Sequence, residues 1–398
     1  MESKSIKIST QEYRARCEVL LEHLKFSGLT GAVLFDNFYI LYYAGFAFIP
    51  TERPVAFVMN TKGDKALFVP RLEVEHAQAN AVVDRVDQYV EYPFEPHPLN
   101  KLRDILADMG VGKQYAADRD GYLWILGYKG PSLSELMGEK PLQIAAFVEE
   151  QMEIKSQSEV NLIKESVKWG NLAHTLLQRY THPGLTETEV SLRASMEATL
   201  CMLDTIGPIY RAQSPFSDGV SVGYRGQIGR NAAIPHALAS NIIFQEGDVL
   251  VTGASAPVWG YNSELERTMI IGPASNEQKR TFDHMLVLQE TAFQAIKPGA
   301  RCADVDRAVR AYYEEHDLMP YWKHHVGHAI GLRYHEGPFL DLGDQTEISP
   351  GMVFTVEPGL YVPGAGGFRH SDTVLVTEGG IEMMTYYPRD LESLTIRL

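Results

Sequence analysis

The amino-acid sequence predicts an α/β protein in two parts, an α/β domain followed by an α+β domain built from a sheet and long helices. Three observations lead there. The chain has 398 residues, more than one small core usually serves. Short apolar runs alternate with helix-like periods up to about Phe147. A charged, polar stretch over residues 149–160 then reads as a linker, which puts the domains at residues 1–150 and 156–398.

The elements follow in order. Residues 10 to about 25 place Cys17, Leu20, Leu21 and Leu24 at helical spacing, and Gly28 ends that helix. Residues 31–35 read as a buried strand and residues 99–109 as a helix. In the second domain a long helix is expected over residues 158–180, stopped by Pro183 and Gly184. Thr186 with Glu189, and Ser275 with Gln278, have the spacing of helix-opening capping boxes. The second of these helices ends at Pro298 and Gly299. Residues 248–254, 265–271, 352–357 and 373–376 read as strands.

Bulk properties remove several function classes. A net charge of -15 and the lack of a polybasic run disfavour nucleic acid and anionic membranes as partners. The longest apolar stretch, residues 38–49, falls short of the ~20 residues of a membrane span. Cys17, Cys201 and Cys302 are far apart and show neither metal spacing nor a disulfide framework. Glu2, Lys4 and Lys7 replace the apolar run of a signal peptide, so a cytoplasmic protein is expected.

The chemistry concentrates in the C-terminal half. In Ser263-Glu264-Leu265-Glu266-Arg267-Thr268, a strand would point Glu264 and Glu266 to one face, about 7 Å apart. Two carboxylates inside a compact domain need a compensating cation: a metal, a histidine or a cationic substrate. The plain alternative is an edge strand with two surface glutamates. Four histidines fall between His324 and His335, with His328 in Gly327-His328-Ala329-Ile330-Gly331. His236, in Ile234-Pro235-His236-Ala237, is a group able to titrate near neutral pH. Glu357 precedes the Pro358-Gly359 turn. Arg53 and Arg369 can each grip a carboxylate through paired hydrogen bonds, or pair internally with Glu52 and with Glu357 or Asp372.

Taken together with Gly247–Gly253 and Phe368-Arg369-His370-Ser371-Asp372, these segments resemble the pita-bread family of methionine aminopeptidase, prolidase, aminopeptidase P and creatinase. The resemblance implies a creatinase-type α/β N-terminal domain and a pita-bread α+β catalytic domain. In the two-metal peptidases of that family the ligands are Asp, Asp, His, Glu and Glu. The matching positions here are Gly253, Glu264, His328, Glu357 and Ser371, so the resemblance implies a degenerate two-metal centre. The segment Leu265-Glu266-Arg267-Thr268 is similar to the creatinase signature.

On that basis the expectation is a metal-independent, creatinase- or ectoine-hydrolase-like homodimer with no cofactor, although one divalent ion could still be held. It would cleave a non-peptide C–N bond in a small zwitterionic amidine, guanidino or amide compound. His236, Glu266, Glu357 and His328 are the expected catalytic residues. Arg53, His335, Glu264 and Arg369 are the expected substrate contacts, Arg53 reaching across from the partner's N-terminal domain. Whether water or a glutamate attacks is left open. The rival readings are an Xaa-Pro dipeptidase or aminopeptidase P-like metallopeptidase with a degenerate metal site, and a non-catalytic binding protein.

Overall fold

Alternating strands and helices in the first third of the chain build a mixed six-stranded sheet. Its order is Arg85–Tyr89, Lys65–Pro70, Ala56–Asn60, Gly31–Leu34, Ala116–Ala117, Leu142–Gln143. Ser9 opens the first helix, Thr10–Phe26, by accepting the Glu12 N–H at 3.1 Å. That helix buries Cys17, Leu20 and Leu24. The helix Pro98–Asp108 lays Leu99, Leu102, Ile105 and Leu106 into a core with Val33, Val58 and Phe68. The structure is a computed structural model that describes residues 6–398, so Glu2 and Lys4 of the expected leaderless N-terminus lie outside the described residues. The fold is mixed α/β and divides into two compact units, Lys7–Met152 and one whose body is Glu153–Leu398.

The stretch over residues 149–160 is mostly helical rather than an open linker. Helices Ala145–Glu153 and Gln157–Tyr180 occupy it. The polar composition hides a buried face: Val148, Met152 and Val160 are buried, and so are two charged residues with partners, Lys155 on Glu336 Oε2 at 3.0 Å and Glu159, which accepts the Tyr261 hydroxyl at 2.7 Å. Ser156 and Glu159 restart the helix with a reciprocal capping box.

In the second unit an eight-stranded sheet carries the motifs side by side. Its order is Glu336–Leu340, Gly327–Ala329, Val353–Val356, Ser371–Thr377, Leu265–Glu266, Gly253–Ser255, Ser221–Gly223, with Gly380–Met383 paired to Ser371–Thr377. The register sets Glu266 opposite Ser371 and Val356 opposite Asp372. It also sets Gly253 opposite Gly223. Gly327 lets its strand close on its neighbour, since a Cβ there would sit 2.1 Å from the Thr355 carbonyl oxygen.

Two expected strands are each broken in two. Val249–Val251 and Thr268–Ile271 belong to a separate three-stranded sheet, while Gly253–Ser255 and Leu265–Glu266 join the large one. The break falls at Thr252 and Arg267, which face each other. The Thr252 hydroxyl accepts the Arg267 N–H at 2.9 Å and donates to the Arg267 carbonyl at 3.2 Å. The chain turns from one sheet to the other around this pair.

Arg267 is fully buried, and every N–H of its guanidinium is satisfied. Nε donates to the Pro388 carbonyl at 2.8 Å. Nη1 donates to the carbonyls of Glu266 at 2.7 Å and Ser371 at 3.1 Å. Nη2 donates to Asp372 Oδ1 at 2.8 Å and the Tyr387 carbonyl at 3.0 Å. The second Asp372 oxygen accepts Gln289 Nε2 at 2.9 Å. Breaking one side of such a buried pair leaves an uncompensated charge, which typically costs about 3–5 kcal/mol. Arg267→Ala should therefore lower unfolding stability by about that amount in a denaturant melt. A loss below about 1 kcal/mol, the scale of a surface ion pair, would show that this interaction does not hold the two strands together.

Candidate metal and substrate site

The sheet order brings Glu264, His328 and Glu357 together. Glu264 leads into its strand with its N–H on the Thr373 hydroxyl at 2.9 Å, and that hydroxyl donates back to the Glu264 carbonyl at 2.8 Å. His328 sits in the short strand beside Glu336–Leu340, its N–H on the Thr355 hydroxyl at 3.2 Å. Glu357 follows Val353–Val356 and is anchored by its N–H to the Val326 carbonyl at 2.7 Å. One donor atom from each of the three side chains lies within 4.8 Å of the others. Among the described residues this is the one group of three or more such side chains with that geometry.

The details fit a divalent cation. His328 Nδ1 is 3.0 Å from the Ala329 carbonyl, so Nδ1 carries the proton and donates it. The lone pair of Nε2 is then turned to Glu357 Oε1 at 3.2 Å, and Nε2 is buried without a hydrogen-bond partner. A lone pair facing a carboxylate calls for a positive charge between them. Without a metal ion a proton serves. Burial disfavours that charge, but the Glu357 contact outweighs it and pushes the His328 pKa up to about 9. Burial, then the like charges of Glu357 and Glu266, push Glu264 up to about 7. Burial would also raise Glu357, but His328 and Arg369 hold it below the usual carboxylate range. Two carboxylates and an imidazole form a recognised donor set for one divalent ion.

The other two matched positions cannot complete a bridged pair. Gly253 has no side chain, and the space its Cβ would take lies 3.5 Å from Glu266 Oε1 and 3.7 Å from Arg225 Nη2. The Ser371 hydroxyl donates to Glu264 Oε1 at 2.6 Å, so it orients that carboxylate.

Glu266, expected to polarise a cationic substrate, is committed to two arginines. Arg369 Nε lies 2.5 Å from Oε2, and Arg369 Nη2 and Arg225 Nη2 each lie 2.7 Å from Oε1. Arg369, expected to touch substrate, is buried between Glu266 and the Tyr361 hydroxyl, 3.0 Å from Nη1. His335 stacks on His328 with ring centroids 3.9 Å apart. Partial burial, then His328, lower its pKa to about 4, so it is a neutral imidazole at pH 7. His236 is exposed and close enough for its charge to bear on His335. Arg53 lies in the first unit, where its Nε meets Glu91 Oε1 at 2.6 Å and its Nη1 pairs with Glu52.

Sequence reasoning missed Arg225 and Tyr334. Both line a cleft of about 500 Å³ with Glu264, Glu266, Ser255 and Leu192. The signal for Arg225 was its glycine-bracketed turn, Gly223-Tyr224-Arg225-Gly226.

Comparison with known proteins corrects the expected chemistry. The chain is 27% identical to an Xaa-Pro dipeptidase of Pyrococcus horikoshii over 348 residues, 86% of this chain and 91% of that one. It is 30% identical to the Xaa-Pro dipeptidase of Pyrococcus furiosus over 238 residues, 60% of this chain and 64% of that one. Among solved structures, an Xaa-Pro dipeptidase from Bacillus anthracis superposes with a TM-score of 0.79 at 26% identity, over 98% of this chain and 100% of that chain.

These relatives overturn the expectation of a creatinase- or ectoine-hydrolase-like enzyme acting on a non-peptide C–N bond. They overturn with it the zwitterionic amidine substrate and the metal-independent label. The physical reason is that Gly253 and Ser371 remove two carboxylates, yet the three donors of Glu264, His328 and Glu357 still converge within 4.8 Å, a set sufficient for one divalent ion. Residues 16–122 match the creatinase/prolidase N-terminal domain. Residues 161–378, more than half of the 398, match metallopeptidase family M24, and the chain belongs to that family.

Proposed function

We propose that this chain hydrolyses short peptides of the Xaa-Pro dipeptide kind, using one divalent cation held by Glu264, His328 and Glu357. The observation that carries this reading is the convergence of those three donors within 4.8 Å, with the unpartnered His328 Nε2 facing Glu357. The names borne by the relatives supply the substrate class. A divalent ion at this cluster would act as a Lewis acid on the scissile carbonyl.

The side chains divide the remaining work. Ser371 keeps one Glu264 oxygen engaged and so fixes the carboxylate. Arg369 neutralises Glu266 and bears on Glu357 from 3.8 Å, which keeps Glu357 ionised for the cation. His335, neutral and stacked on His328, can donate a hydrogen bond to developing negative charge. His236, exposed beside it, can carry a proton to the departing nitrogen. The three cysteines are unpaired, which fits a reducing, cytoplasmic setting. No helix among the described residues is long and apolar enough to cross a membrane.

Activity on Ala-Pro should appear with a divalent ion such as Mn²⁺ or Co²⁺, vanish on chelation and return on metal addition. Full turnover by a chelated, metal-free protein would falsify the reading. Elemental analysis of the loaded protein should find close to one ion per chain, and His328→Ala should weaken metal affinity by about tenfold or more. Unchanged affinity in that variant would remove His328 from the ligand set. His236→Ala should lower kcat by about 10²–10⁴-fold while metal content stays the same. Near-normal turnover would exclude His236 as the proton carrier.

A further inference from the structure

We propose that Lys155 is a positioning residue for His335, acting through Glu336 to hold the turn that keeps this ring against His328. The catalytic use of His335 rests on the peptide-hydrolase reading. The tether itself is argued from the contacts below.

The turn joins two paired strands. Gly327–Ala329 and Glu336–Leu340 run antiparallel with Ala329 opposite Glu336, so residues 330–335 form the connection. His328 lies on the first strand and His335 at the end of the connection, and their rings stack with centroids 3.9 Å apart. Tyr334 and His335 are exposed, whereas Gly331, Leu332 and Glu336 are buried. The exposed pair therefore takes its placement from the buried residues on either side.

Those residues close on one ammonium. Lys155 Nζ donates to Glu336 Oε2 at 3.0 Å, both side chains being buried. The other Glu336 oxygen, Oε1, accepts the Arg333 N–H at 2.9 Å. One carboxylate thus joins the lysine to the backbone of the turn two residues before His335. Gly331 packs directly on the pair, since a Cβ there would lie 2.8 Å from Glu336 Oε2 and 3.1 Å from Lys155 Cε. The Gly331 carbonyl accepts the Asn262 N–H at 2.8 Å, which ties the start of the turn to the segment leading into Glu264.

Lys155 is itself held in place. Its N–H donates to the Gly351 carbonyl at 2.9 Å, and Ser156 beside it caps the helix Gln157–Tyr180. A buried ion pair is a poor source of net stability, because desolvation offsets the attraction and an apolar pair of similar volume often serves as well. What this pair supplies is direction. With both of its oxygens engaged, Glu336 accepts one geometry of the turn. Without Lys155 the carboxylate loses its buried partner and turns toward water, which releases the Arg333 N–H and with it His335.

Kinetics on Ala-Pro with the full Mn²⁺-loaded chain test this. Lys155→Met should lower kcat by about 10–100-fold, the scale set by about 1 Å of misplacement at a reacting centre. KM should change by less than about threefold, and metal content should stay the same. Lys155→Met/Glu336→Leu removes both charges, so its melting temperature should return toward that of wild type while kcat stays low. In a His335→Ala background, Lys155→Met should cost less than about threefold more, because both changes act on one group. Hydrogen exchange at residues 331–336 should quicken in Lys155→Met, and exchange at Val353–Val356 should not. Three outcomes would overturn the proposal: near-normal kcat in Lys155→Met, recovery of kcat together with melting temperature in the double variant, or the full Lys155→Met loss persisting without His335. If Lys155→Met does not fold, the double variant takes its place in each comparison. If wild type cleaves no dipeptide, hydrogen exchange decides alone. Quickened exchange then keeps the tether and fails only the peptide-hydrolase reading, whereas unchanged exchange overturns the tether as well.

Discussion

The arrangement of the site depends on one buried guanidinium. Arg267 ties the strand Leu265–Glu266 to Ser371 and Asp372, and to the carbonyls of Tyr387 and Pro388 near the C-terminus. It lies where the chain leaves one sheet for another, so both Glu264 and Glu266 take their position from it. A slip of one residue in that pairing would turn the carboxylates to the opposite face. The fully satisfied donors of Arg267 fix a single register, because any other would strand a buried charge.

Around that fixed strand the structure solves an electrostatic problem. Three carboxylates, Glu264, Glu266 and Glu357, crowd one end of the sheet. Glu266 is compensated by Arg369 and Arg225 from within the protein. Glu264 and Glu357 have only His328 and the edge of Arg369, and their pKa values are driven in opposite directions. The Glu266 end of this face is thus closed by arginines, and the Glu264 end is left for a cation from solution. Gly253 and Ser371 mark the boundary, one making room for Arg225 and the other steering Glu264.

Much of this was legible in the sequence, and the rest was not for definite reasons. Glu264 stood out by its i, i+2 partner Glu266, His328 by its glycine neighbour and Glu357 by the Pro358-Gly359 turn; the family resemblance grouped them as ligand positions, and the sheet brings them together. The i, i+2 spacing of Glu264 and Glu266 suggested a shared need for positive charge. It could not show that the two would be served differently, because Arg225 and Arg369 are 41 and 103 residues from Glu266. The strand breaks at Thr252 and Arg267 were invisible because the hydrogen bonds that turn the chain there join two residues 15 positions apart. The expected chemistry failed for a related reason. Ligand positions that are lost can be counted in a sequence, whereas the aim of the imidazole that remains is set by one hydrogen bond to the Ala329 carbonyl.

The central claim is that three donors hold one cation while arginine takes the space beside Gly253. Anomalous diffraction from crystals loaded with Mn²⁺ addresses it directly. The account predicts one peak, about 2.0–2.3 Å from oxygens of Glu264 and Glu357 and from His328 Nε2. No peak is expected between Gly253 and Arg225. Two peaks bridged by Glu264, or none at the cluster with Mn²⁺ present in excess, would contradict it.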